Sequence, residues 1–165
     1  MVVCLLVLTG CSSGPSADEW AAAVCDALSP WRTTIASLNE RAATHMATAT
    51  TSAQTRENIM TLLSGARQAS ETARAAIAAA GVPDVDGGDE VARGFEASLA
   101  GTRDAYARAE AELAVLSIAD DVAFYDGVET LLTRLTDQYQ GNVVDLAGLD
   151  SPELRQALDR NAACR

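Results

Sequence analysis

The sequence pattern predicts an all-α protein, an up-down-up-down four-helix bundle with a kinked first helix and a short C-terminal helix tied back by a disulfide. Three observations carry this expectation. Apolar residues recur at steps of three and four over four separate stretches of the 165-residue chain, which is the signature of one buried helix face. Aromatic residues make up only 4% of the chain while alanine is abundant, and small side chains favour closely packed helices. The connections between the stretches are short, so consecutive helices should lie antiparallel and adjacent.

The first helix begins at Asp18, with Trp20, Val24, Leu28, Trp31, Ile35, Leu38 and Met46 on one face. Pro30 interrupts it, but the apolar phase runs through unbroken, so a kink is expected and not a reversal. Residues 44–55 lose the stripe and fill with hydroxyls, with Thr51 or Ser52 as an N-cap, and read as the first connection. The second helix carries Ile59, Leu62, Leu63, Ala66, Ala69, Ala73 and Ile77 and stops at Gly81-Val82-Pro83. A loop over residues 83–90 leads to the third, striped by Val91, Phe95, Leu99, Thr102, Tyr106, Ala109, Leu113 and Leu116, with i,i+4 pairs Asp89–Arg93 and Asp104–Arg108 on its wet side. After a turn at residues 117–121, the fourth helix is defined by Val122, Tyr125, Val128, Leu132, Leu135, Tyr139, Val143 and Leu146, and Gly141 weakens its last turns. Ser151-Pro152-Glu153 supplies an N-cap, a proline at N1 and an acid in the first turn of a short helix bearing Leu154 and Leu158. Trp20, Val24, Trp31, Leu99, Leu132 and Leu135 are the expected core at successive levels of the bundle.

The N-terminal segment carries the most specific motif. Leu8-Thr9-Gly10-Cys11 directly follows the apolar run at residues 2–8 and reads as a lipobox. In a bacterial lipoprotein precursor the cysteine thiol takes a diacylglyceryl group and becomes the mature N-terminus. The run is far shorter than the roughly 20 residues a bilayer span requires, and no A-x-A-like site precedes Cys11. The expected organisation is a signal peptide over residues 1–10, a lipidated Cys11 and flexible tether over 11–17, and one helical domain over 18–165. No Arg or Lys precedes Arg32, so the usual cationic n-region is missing, and the true start codon is expected upstream.

Formal net charge is −11, every cation is an arginine, and such a chain repels phosphate, which excludes nucleic acid as a partner. It also gains nothing from anionic lipid, so the acyl chains on Cys11 must supply the hold on the membrane. With Cys4 discarded and Cys11 acylated, Cys25 and Cys164 remain in an oxidising compartment and are expected to form a disulfide, two free buried thiols being the alternative. In the chain-entropy account, closing so long a loop contributes about 4 to 5 kcal/mol. The up-down-up-down order brings Cys25 and a folded-back Cys164 to one end, with the anchor and the 83–90 loop, and puts residues 44–55 and 117–121 at the far tip.

Candidate chemistry is sparse. Asp84, Asp86, Asp89 and Glu90 cluster as calcium ligands do, but their spacing fails the EF-hand rule and a helix start favours acids in any case. His45 is the only histidine, which excludes a multi-histidine zinc or haem site within one chain. Tyr106, Tyr125 and Tyr139 are chemically able to ligate haem iron, but all fall on core stripes. The hydroxyls of residues 44–55 suit either surface glycosylation or cap and loop chemistry. No catalytic, cofactor or metal residues are therefore assigned.

Three pieces together carry a family likeness: the lipobox; Trp20-x-x-x-x-Cys25 followed by Pro30-Trp31; and Ser151-Pro152-Glu153-Leu154-Arg155 with Ala162-Ala163-Cys164. The chain resembles small actinobacterial cell-envelope lipoproteins of unknown function. That resemblance implies an exported, lipid-anchored helical domain and carries no catalytic residues. The expected function is an envelope interaction or structural module, its partner an envelope protein or glycan. The alternative is a carrier or binding accessory for a small apolar ligand, cell-wall lipid or haem, and an enzyme ranks third. An apolar pocket above about 300 Å³ lined by Tyr106, Tyr125 or Phe95 would favour the carrier.

Overall fold

A computed structural model of the chain describes residues 14–141 and 150–164. It is an all-α bundle: α1 (Ala17–Thr48), α2 (Ser52–Ala80), α3 (Gly88–Val115), α4 (Asp121–Gly141) and α5 (Pro152–Arg160), followed by a single 3₁₀ turn at Ala162–Cys164. Cys11, the signal segment, and Val143 and Leu146 of the expected fourth-helix stripe lie outside the described residues.

Each boundary has a local cause. Ser16 opens α1 with a capping box: its hydroxyl accepts from the Glu19 amide, and the Glu19 carboxylate accepts from the Ser16 amide at 2.9 Å. Thr51 caps α2 through the Gln54 amide. The α2 stop falls on Gly81, whose φ of 74° is left-handed backbone that glycine adopts without a Cβ penalty. Proline at N1 starts α5, although the Ser151 side chain makes no cap bond.

Two core clusters establish the antiparallel order. One joins the N-terminal half of α1 (Trp20, Val24, Cys25) to the C-terminal half of α2 (Ala73, Ile77), the N-terminal half of α3 (Phe95, Leu99) and α5 (Leu154, Leu158). The other joins Leu38 of α1 to Ile59 and Leu63 early in α2, Tyr106 and Leu113 late in α3, and Phe124, Val128 and Leu131 of α4. The 21 residues of α4 span about 32 Å, against about 42 Å for the 28 residues of α3. The fourth column of the bundle is accordingly shared. α4 packs on α3 and the edge of α2 at the far end, and α5 packs on α1 at the near end; among the described residues α4 does not approach α1.

Three expectations need correction. α1 continues through residues 44–48, so the first connection is only residues 49–51. Thr44 and Thr48 turn their hydroxyls onto the carbonyls of Glu40 and His45, at 3.0 and 3.1 Å, so in this hydroxyl-rich stretch these two side chains find their partners inside the helix and not in a loop. The buried face of α4 is Phe124, Val128 and Leu131, with Leu135 packed beside them, whereas Val122, Tyr125 and Leu132 are exposed at 73%, 45% and 37%. α4 is apolar over two adjacent stripes. Rotation toward α3 follows Phe124, whose wholly apolar ring is fully buried with the Arg56 guanidinium 5.8 Å from its centre, while Tyr125 carries a phenol hydroxyl. The Ser52 hydroxyl, donating to the Asp121 carboxylate, fixes the start of the helix in that phase. Third, Asp104 pairs with Arg103 at 2.7 Å and not with Arg108, which reaches Gln138 on α4; the Asp89–Arg93 pair forms at 2.8 Å.

Candidate functional site

Two of the residues singled out by the sequence, Cys25 and Cys164, meet at the near end of the bundle. Cys25, fully buried on α1, and Cys164 are joined in a disulfide with Cα atoms 4.8 Å apart, closing 139 positions of chain. The tail that delivers Cys164 is held from both sides. Arg32 donates to the carbonyls of Ala163 and Cys164 at 2.7 and 3.2 Å, and Arg160 pairs with Asp18 at 2.6 Å. Beneath them Trp20 is fully buried, donates its indole N–H to the Gly81 carbonyl at 2.9 Å and meets the Phe95 ring edge-on at 5.4 Å. That one side chain ties α1 to the α2–α3 loop and to α3.

The chain entering this end is docked from Gly14 onward, a narrower limit than a tether running to Ala17. A Cβ on Gly14 would stand 2.1 Å from the Val82 carbonyl oxygen, so only glycine fits the approach. The Pro15 carbonyl accepts from the Asp84 amide at 2.9 Å, and Ala17 is buried. Cys11 therefore stands three residues before a fixed point.

The remaining candidates are dispersed. His45 is exposed in the last turn of α1. Asp84, Asp86, Asp89 and Glu90 are exposed, and among the described residues no group of three or more His, Cys, Asp or Glu is arranged to hold a metal ion. Tyr106 is buried, and desolvation, with Tyr139 nearby, pushes its phenol up to about 12. Tyr125 faces out, its hydroxyl 3.3 Å from that of Thr55. Clefts of about 400, 300 and 270 Å³ lie in open grooves. The first runs between α1 and α2 beside Trp31, the second between α3 and α4 beside Leu116, and the third beside His45 and Leu62; Phe95, Tyr106 and Tyr125 line none of them. Phe95 is spent on Trp20.

Electrostatic ties missed from the sequence hold the mid-section. The Glu71 carboxylate accepts from Arg74 at 2.7 Å and from Arg103 of α3 at 2.7 Å; these hydrogen bonds, Arg74 first, hold it down to about 2. Both guanidiniums are raised in turn, chiefly by their bonds to Glu71. Glu19 is lowered by its bonds to Ser16. The Glu71–Arg74 spacing and the Ser16-x-x-Glu19 box were readable as local signals, but the partnership with Arg103 crosses between helices and leaves no sequence mark.

Among the described residues no helix is long and apolar enough to cross a membrane. No known protein family, curated protein or solved structure matches the chain.

Proposed function

We propose that this chain is an exported, lipid-anchored protein, held at the outer face of the cell membrane by acylated Cys11, which presents a stapled helical bundle as an interaction or structural module of the envelope. The observation that carries the reading is Leu8-Thr9-Gly10-Cys11 directly behind the apolar run of residues 2–8. The disulfide supports it, because a bond between Cys25 and Cys164 suits an oxidising, extracytoplasmic place. Docking from Gly14 supports it too: a short lead from Cys11 into a fixed end gives the bundle a defined attachment to the bilayer surface. The reading gives the protein no catalytic role, no cofactor and no nucleic-acid partner; its partner is an envelope protein or glycan. The likeness to small actinobacterial lipoproteins is in keeping with all of this. The carrier alternative has less support, since of the aromatic side chains that would line its pocket Phe95 is packed on Trp20, Tyr106 is buried in the far core cluster and Tyr125 points outward.

The test is fatty-acid labelling in the native host. Cys11→Ser should abolish incorporation of the label and move the protein from the detergent phase to the aqueous phase. Unchanged partition of an unlabelled chain would refute the anchor.

A further inference from the structure

The geometry points to a docking surface on α4 for a cationic amphipathic helix of a partner protein, a deepening of the interaction reading above and dependent on it. The exposed stripe of α4, Val122, Tyr125 and Leu132, covers an arc of about 80° on the helix. Val115 and Ile118, 82% and 42% exposed, extend it around the α3–α4 turn. Val122, Tyr125 and Leu132 are side chains that the sequence pattern marks as core, yet they stand outside the far core cluster, where the neighbouring stripe, Phe124, Val128 and Leu131, packs on α3 and α2. Tyr125 is half-covered, its ring edge-on to Phe124 at 5.3 Å, and Leu132 is 37% exposed, so the row is a partly exposed apolar face with acids among and beside its side chains, a footprint that suits helix-on-helix recognition.

Charge selects the occupant. Asp126 and Asp137 stand along the edge of this row away from the core and Glu129 stands within it, between Tyr125 and Val122 around the helix; all three are exposed, and none takes part in an ion pair among the described residues. A second copy of this chain would set carboxylates against carboxylates, and an anionic lipid surface is repelled by the same row and by the net charge of −11. A helix with an apolar seam flanked by Lys or Arg satisfies both the row and its rim. The surface sits at the end of the bundle opposite the disulfide and the docked N-terminus, the end that faces away from a membrane anchored through Cys11.

The test titrates the full chain, in dodecyl maltoside micelles, with a short fluorescent synthetic helix of Leu and Lys carrying one apolar seam, and with the same peptide bearing Glu for Lys. The Lys peptide should bind and the Glu peptide should not. Val122→Ser with Leu132→Ser should weaken binding about tenfold or more, as loss of central apolar anchors does. Asp126→Asn, Glu129→Gln and Asp137→Asn together should weaken it about fivefold or more and flatten its salt dependence, while Asp89→Asn at the other end should change nothing. Equal affinity of the α4 variants and the parent overturns the inference. So does a concentration-dependent dimer abolished by Leu132→Ser, which would make a second copy the occupant, and so does Leu132-dependent binding to phosphatidylglycerol vesicles. The titration needs no acyl chain, so its failure leaves the Cys11 anchor standing, and a Cys11 that takes no lipid leaves the titration unaffected.

Discussion

Truncating Trp20 removes a fully buried indole, its hydrogen bond to Gly81 and its contact with Phe95, so Trp20→Ala should cost about 3 to 5 kcal/mol in urea unfolding. Leu132→Ala, at an exposed position, should cost less than about 0.5 kcal/mol; a larger loss would mean that α4 is rotated toward the phase its sequence suggested. Trp31 is half-buried and donates to the Ser70 hydroxyl at 3.1 Å, and its truncation should fall between the two. Glu71 gives a pH signature. Its folded-state value, about 2, lies below the unfolded one, so the stability it contributes is present above about pH 4.5 and is lost as pH falls toward 2. Glu71→Gln should therefore flatten the fall in melting temperature between pH 5 and pH 2 relative to the parent. Tyr106 acts in the opposite range: raised to about 12, it contributes stability that is present below pH 10 and lost as pH rises toward 12.

At the scale of elements, the disulfide and α5 stand or fall together. Reduction, or Cys25→Ser, should cost about 4 to 5 kcal/mol and raise hydrogen exchange first in α5, which packs on α1 at the end the bond closes. Thr51→Ala should cost about 1 kcal/mol through the lost α2 cap. Much of this architecture was legible in advance. The α3 stripe from Val91 to Leu113 is buried as read, Gly81 ends α2, and Cys25 meets Cys164, because periodicity, glycine conformation and cysteine number are local or countable properties. The end of α1 was misread because threonines that bond their own helix look the same in sequence as threonines in a loop. The phase of α4 was misread for a different reason: two apolar stripes compete on one helix, and only Arg56 and Ser52, distant in sequence, decide between them. The sequence pointed to Cys25 and Cys164 but not to Arg32, whose grip on the tail carbonyls depends on a folded-back terminus that no local pattern encodes.

For the whole molecule, the two core clusters divide the work. The near one, built on Trp20 and closed by the disulfide, fixes the end at which the chain enters; the far one, built on Phe124 and Leu63, carries α4 with its partly exposed apolar face and neighbouring acids. The anchor proposed at one end and the docking surface proposed at the other call for a rigid join, and the Glu71, Arg74 and Arg103 network with the Arg67–Glu110 pair at 2.8 Å binds α2 to α3 between them. The proposed function depends on Cys11 being the point of attachment. Intact-mass spectrometry of the protein taken from its native membrane tests that most directly. The expected result is a chain that begins at Cys11, carries the added mass of a diacylglyceryl group on that residue, and is two hydrogens short for the Cys25–Cys164 bond. An N-terminus elsewhere, or an unmodified Cys11 on a chain recovered without detergent, would contradict it.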